Sequence, residues 1–370
     1  MLTELDDSLW HQLPTTFDHV GTSDPRFFDR YWFAVYSPDG SAALQFTMGV
    51  YRNMNVLDAA CVVTLDGKQH NLRCSRTLGR VNATVCGPLR VEAVTPLQAF
   101  ALSLDGAEHG MHGTIHWTGI APPDEEAPHF RRSNARVVED YQRFNQIGSA
   151  HGGLTVNGTE LVIENWWACR DHSWGVRPRM GIPEPQTGLR AGLEERGYTM
   201  AFLFFSTESL VGSLLLSRHE GEPTYVSGSV THVHQEKTYH AVSMGLQPVL
   251  YTNTRRFRQV QLEVTLEDGH TLSLLCRSSG SSIAMQGLGY SGGYQDGKGL
   301  GVWRGDLTIE RDIWDVSDAA TIVYPDGSRN QHWHRIQPVE MEGGFDGSAG
   351  RGSGSMTLIL SGRIPSLGLG

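Results

Sequence analysis

Residues 257–276 read FRQVQLEVTLEDGHTLSLLC, and the alternation in their first half decides the fold class. Val260, Leu262, Val264 and Leu266 take turns with Gln261, Glu263 and Thr265. Side chains that change face at every residue belong to a strand, so one face of this segment is core and the other is wet. Asp268-Gly269 then turns the chain, because glycine tolerates the positive φ that a tight hairpin demands. The returning strand runs to Cys276.

The same pattern recurs outward in both directions. Strand-like runs bounded by turn residues occur at 32–36, 42–49, 59–65, 99–104 and 161–168, and again at 199–205, 210–217, 225–233, 303–311 and 356–360. With 43 glycines and 16 prolines in 370 residues, long helices would be interrupted repeatedly, and many short strands fit better. Thr64-Leu65-Asp66-Gly67, followed by Leu72 and Cys74, shares its DGxxxxLxC spacing with Leu266-Glu267-Asp268-Gly269, followed by Leu274 and Cys276. That echo points to two related halves. The length suits two domains, and the loop at 176–195, with Pro178, Gly181, Pro183, Pro185 and Gly188, is the expected seam, giving domains 1–180 and 181–370. Residues 343–355, rich in Gly and Ser, read as a mobile loop before a last strand.

Composition narrows the function. A formal charge of −10 without a basic stripe argues against nucleic-acid partners, whose affinity rests on Lys and Arg neutralising phosphates. The start, MLTELDDSLW, lacks the basic and apolar regions of a secretory signal, and no window approaches about 18 apolar residues, so no integral membrane segment is expected. Five scattered cysteines without a CxxC pair read as reduced thiols of a cytoplasmic protein. There is no GxSxG elbow, no cofactor motif and no signal for an oligomeric state; the glycine-rich run 287–305 lacks GKS/T and reads as a loop at a barrel mouth, with Tyr290 and Trp303 at a ligand entrance. Asp124-Glu125-Glu126, beside Pro122, Pro123 and Pro128, reads as an exposed loop. His232 and His234, and likewise His332 and His334, would present two imidazoles on one strand face, a spacing compatible with metal binding, although HxH pairs arise by chance among 16 histidines and no metal site is assigned.

Residues 160–177, ELVIENWWACRDHSWGVR, carry the chemistry. Taken as one uninterrupted strand, Leu161, Ile163, Asn165, Trp167, Cys169 and Asp171 share the more apolar face and point inward. Asp171 is then a carboxyl beside Trp167, where desolvation favours the protonated acid; the alternative is an ion pair with Arg170 or Arg177 and no chemistry at all.

The RDHSWG run resembles the Asp-His-x-Trp-Gly signature of the AttH and carotenoid 1,2-hydratase (hydroxyneurosporene synthase) family, and FNQIG at 144–148 and GGLTVNG at 152–158 resemble its flanking blocks. This resemblance implies an all-β fold of two lipocalin-like (calycin) antiparallel β-barrels in tandem. It implies a hydrophobic, isoprenoid-like or polyketide-like substrate and acid-catalysed hydratase, isomerase or cyclase chemistry at a C=C bond without a cofactor. Asp171 would be the proton donor and His172 its orienting partner, with Trp167, Trp174 and Asn145 against the substrate. A non-catalytic carrier of a hydrophobic metabolite is the alternative.

Overall fold

A computed structural model describes the chain from residue 2 to residue 370, apart from residues 3, 8, 10, 80–83, 134–135, 182–196, 220, 290–295, 297, 319, 325–326, 332–334, 347 and 349. The strands that form the first sheet are Phe27–Tyr36 (β1), Ala42–Tyr51 (β2), Val56–Leu65 (β3), Lys68–Thr77 (β4), Val85–Cys86 (β5), Leu89–Thr95 (β6), Ala99–Gly106 (β7), Met111–Gly119 (β8), Asp124–Glu125 (β9), His129–Ser133 (β10), Arg136–Val156 (β11) and Thr159–Val176 (β12). Then follow Tyr198–Thr207 (β13), Leu210–His219 (β14), Glu222–His232 (β15), Lys237–Leu250 (β16), Phe257–Leu266 (β17) and Thr271–Ser278 (β18). The chain ends with Leu307–Asp315 (β19), Thr321–Val323 (β20), Arg329–Gln331 (β21), Ile336–Phe345 (β22) and Gly350–Ser361 (β23). Among the described residues the only helices are short 3₁₀ turns, and no helix is long and apolar enough to cross a membrane.

The expected all-β, lipocalin-like architecture is present, in two unlike forms. Strands β13 to β18 with β22 and β23 close into an eight-stranded antiparallel barrel, while the twelve strands of the first half, with three from late in the chain, form a 15-stranded antiparallel sheet. That sheet curls until β5 lies against β3 and β4, where Arg76 Nε donates to the Val85 carbonyl at 2.8 Å and Cys86 Sγ to the Leu57 carbonyl at 3.4 Å. Strands β19 to β21, from late in the sequence, extend the first sheet beyond β4. The strands therefore do not divide in a single cut at residue 180, and most of the expected seam lies outside the described residues.

Each unit is filled by its own side chains. Phe33, Phe46, Phe100 and Trp117 pack inside the curled sheet, and Phe205, Phe257, Met341 and Leu358 inside the barrel. The two Asp-Gly hairpins behave as read, and Cys74 and Cys276 sit in these two cores. Residues 343–355 differ from expectation. Apart from a short turn they are paired strand, because β23 closes the barrel against β13 and its glycines permit the approach. A Cβ at Gly352 would meet the Ser206 carbonyl oxygen at 2.0 Å.

A third core lies between the units. The outer face of the first sheet contributes Trp32, Ala34, Tyr36, Ile147 and Cys169, and the barrel contributes Phe204, Val211 and Ile336. Strand β12 serves this core and the interior of its own sheet at once, through a break in its alternation. Ile163 pairs with Gly152 and Trp166 with Ala150, so Glu164 and Asn165 together oppose His151 in a β-bulge, with Asn165 at φ 54°. Before the bulge the odd residues Leu161 and Ile163 point into the curled sheet; after it the even residues Trp166 and Ala168 do. The reading of one continuous odd face from Leu161 to Asp171 is thereby corrected, since one extra residue exchanges every later side chain between faces.

Asparagine accepts this left-handed backbone and a β-branched residue does not. Asn165→Val is expected to lower stability by about 1–2 kcal/mol, while Asn165→Gly keeps or raises it; urea denaturation of the two variants against the parent chain measures this.

Candidate functional site

The bulge decides where the signature residues go. Arg170 points into the curled sheet, its guanidinium 4.5 Å from the Phe100 ring and 5.1 Å from that of Trp117, with Nε and Nη2 donating to Gln146 Oε1 at 2.9 and 2.7 Å. Asp171 points the other way, toward the barrel. It pairs across the ladder with Trp32 on β1 and with Asn145 on β11, so these three side chains share the face that the barrel covers. Phe204 of the barrel stands 5.7 Å from the Trp32 ring.

The remaining expected site residues are dispersed. Trp167 shares the interface but lies four residues back along β12, stacked on Tyr36 at 5.9 Å and donating to Ser206 Oγ at 2.9 Å. His172 and Trp174 occupy the opposite face: His172 Nε2 meets Asp29 Oδ1 at 2.7 Å, and its ring lies among Tyr31, Phe144 and Trp174. Neighbours on one strand cannot reach each other across it, so His172 does not orient Asp171. Trp303 is 55% exposed and bonds Thr77 Oγ1, away from Asp171. Tyr290 lies outside the described residues, as do His332 and His334. His232 ends β15 and His234 falls in the following turn, so the two do not share a strand face; no group of three metal-ligating side chains occurs among the described residues.

What the sequence reading misses is a buried ionic network beside Asp171. Glu126, expected on an exposed loop, is 2% exposed. Arg143 grips it through Nε–Oε1 at 2.9 Å and Nη2–Oε2 at 2.8 Å, His129 Nε2 meets Oε2 at 2.6 Å, and Asn145 Nδ2 donates to Oε1 at 2.6 Å. The imidazole of His129 is sandwiched between Tyr141 and Tyr225, each ring 4.1 Å away. Asn145 also donates to Ser213 Oγ at 3.1 Å, and that hydroxyl donates to Asp124 Oδ2 at 2.8 Å. The barrel thus meets the sheet through polar contacts around an apolar centre: Ser227 Oγ accepts the Ala127 N–H at 2.9 Å and Ser355 Oγ lies 2.7 Å from Tyr36 Oη.

Electrostatics separates the carboxyls. Burial alone would raise Glu126, but the charge of Arg143 and the bonds from His129 and Arg143 outweigh it and hold Glu126 down to about 2. Asp171 goes the other way. Desolvation raises it against Arg143, Arg177 and Arg30, and the Glu126 charge adds to the rise. Asp58, on the same outer face, is likewise raised by burial; it lines a cavity with Arg30, Thr47, Arg73, Leu288 and Leu300, and its Oδ2 accepts the Gly301 N–H at 2.7 Å. Two neighbouring carboxyls whose surroundings push their proton affinities apart, Glu126 down and Asp171 up, are the pattern that separates a charge-holding group from a proton-donating one.

Two consequences are measurable. Arg143→Met leaves Glu126 as an unpaired buried charge and is expected to destabilise the fold by about 3–5 kcal/mol in urea denaturation. The elevated Asp171 binds its proton in the folded chain over a pH interval in which the unfolded chain, near 3.8, has released it. Stability contributed by this group therefore falls as pH climbs through that interval, and Asp171→Asn should be more stable than the parent at pH 7, with the difference shrinking toward pH 4.

Solved structures with this fold include CghA. The crystal structure of CghA with Sch210972 is 12% identical with a TM-score of 0.51, covering 91% of this chain and 89% of that one. A second CghA structure gives 13% and 0.51, over 92% and 90%. Kievitone hydratase from Nectria haematococca is 11% identical over 90% of this chain and 89% of its own, with a TM-score of 0.45. The likeness to CghA bears out, at the level of the fold, the resemblance seen in the sequence. Among curated proteins none matches it. The sequence profile of a family of unknown function, DUF8625, matches residues 2–363, and the chain belongs to that family.

Proposed function

We propose that this protein is a cytoplasmic acid catalyst acting on a C=C bond of a hydrophobic small molecule, by hydration, isomerisation or cyclisation, with Asp171 as proton donor. One observation carries the reading: Asp171 is a carboxyl whose proton affinity burial raises, half-buried where the barrel docks and directly opposite Trp32 in the ladder. The interiors of the curled sheet and of the barrel are filled by packed side chains, and the polar groups gathered around Asp171 favour the interface as the place for a ligand. The fold shared with CghA, crystallised with Sch210972, supports a fold of this type holding a small molecule.

In this mechanism the Asp171 proton adds to the alkene and the π electrons form the new C–H bond. The carbocation left behind is held against the face of Trp32, a contact worth about 1–2 kcal/mol when desolvated. Trp32 takes the role against the substrate that the resemblance implied for Trp167 or Trp174, because the ladder sets it opposite Asp171. Water then attacks the cation to give the alcohol, or a neighbouring proton is lost to give the isomer; either route returns a proton to Asp171. The five cysteines, all buried free thiols, suit the reducing cytosol.

The test is turnover of a panel of isoprenoid and polyketide alkenes in ¹⁸O-labelled water, followed by mass spectrometry. Asp171→Asn is expected to keep ligand binding and lose about 10²–10⁴ in kcat. Equal turnover by the variant would sink the proposal.

A further inference from the structure

Asn145 holds an unusual position in the interface. It is 1% exposed, and its carbonyl Oδ1 has no hydrogen-bond partner, whereas its Nδ2 serves two. The orientation of an asparagine amide is ordinarily ambiguous, but chemistry settles this one. Glu126 is ionised and can only accept, so the NH₂ must face it. Glu126 and the Ser213–Asp124 pair both lie on the β9 side of β11, where Asn145 pairs with Asp124. With nitrogen turned to that side, the oxygen of the planar amide turns to the other, toward β12. There the cross-strand partner is Asp171. Directly opposed residues of an antiparallel pair have Cβ atoms about 5 Å apart, so two short side chains of this kind reach each other with one hydrogen bond.

From this arrangement we infer that Asn145 is an obligate acceptor that takes the proton of Asp171 on its Oδ1, a positioning residue that keeps Asp171 as the undissociated acid and whose own orientation is locked by Glu126. A carboxylate at Asp171 would face a carbonyl oxygen with both amide hydrogens committed elsewhere, which is repulsive. A carboxylic acid there satisfies both groups, and an acceptor with no other donor favours the protonated form. The relay runs Arg143, Glu126, Asn145, Asp171. The charged groups that oppose or assist it are Arg143 on β11, Arg30 on β1, Arg177 beyond β12 and Glu126; the three arginines favour the carboxylate, and desolvation and the Glu126 charge work against them.

The role of Asn145 rests on Asp171 being the acid of the proposed reaction, yet it is tested without substrate. The experiment is a ¹³C-carboxyl NMR titration of aspartate-labelled full-length protein, with the Asp171 signal assigned by its loss in Asp171→Asn. In Asn145→Leu the acceptor is gone, and the Asp171 midpoint should drop by roughly one unit or more. Glu126→Gln should lower the midpoint too, for two reasons: it removes a like charge that raises Asp171, and its own side-chain NH₂ frees Asn145 to flip and present a donor. It also guards against Asn145→Leu failing to fold. A midpoint unmoved in a folded Asn145→Leu, or in Glu126→Gln, overturns the role of Asn145. Failure of the catalytic reading would appear separately, as undiminished turnover by Asp171→Asn.

Discussion

The phase of β12 is the constraint on which this molecule depends. A strand between two packed layers must offer apolar side chains to both, and a regular alternation can do so only if both faces remain in register with their cores along its whole length. β12 achieves this over 18 residues by inserting one at Asn165. Upstream, Leu161 and Ile163 fill the curled sheet; downstream, Trp166 and Ala168 continue the same core while Cys169 joins the interface. The bulge therefore sends Arg170 into an aromatic box and Asp171 to the barrel. Without it, the cation would lie on the same sheet face as Arg143 and the acid would be buried among Phe100 and Trp117, placements that like-charge repulsion and desolvation respectively oppose.

The interface that results is neither a greasy seam nor a simple salt bridge. Its apolar centre is Trp32, Tyr36, Ile147 and Phe204, and around it the barrel reaches the first sheet through serine hydroxyls. Hydroxyls are directional and weak, so each fixes position while adding little net stability. The strong element is the Glu126–Arg143 pair, both members on the sheet side, which makes it part of the preformed docking surface. Buried ion pairs contribute modestly to stability but penalise any arrangement that separates their members. That property suits a surface that must hold Asn145 and Asp171 at a fixed spacing.

How much of this is legible in the sequence follows from the range of each signal. Period-2 alternation is local: it locates β17 to the residue and about half of the other strands, and it passes over long ones such as β11 and β16. The bulge is not legible, because Glu164-Asn165 breaks no composition rule and only the pairing with Gly152 and Ala150 reveals it. Glu126 escapes for a related cause. Three acidic residues among prolines look like a solvated loop, and the cation that justifies burial stands 17 residues away, at Arg143. Trp32 carries no mark of its own because its meeting with Asp171 is a register fact spanning most of the first half. Asp171 itself is found through the signature, but its direction is right for a different reason than the apolar odd face suggests.

Register also separates Asp171, the proposed acid, from Asp58, although burial raises both. Following the ladder across the outer face, Arg73 opposes Ala60, Ala60 opposes Thr47, Thr47 opposes Trp32, Trp32 opposes Asp171 and Asp171 opposes Asn145. Asp58 lies one pair off this row, under the segment that carries Leu288 and Leu300, with the Gly301 N–H on its oxygen. A backbone donor favours the carboxylate and occupies the oxygen that a substrate would need. Asp171 meets an acceptor instead, and it is the less buried of the two. Two acids on one face thus differ by what touches them: Asp58 fastens a covering segment to the sheet through the Gly301 N–H, and Asp171 stands half-buried where the two units meet, opposite Trp32 and Asn145.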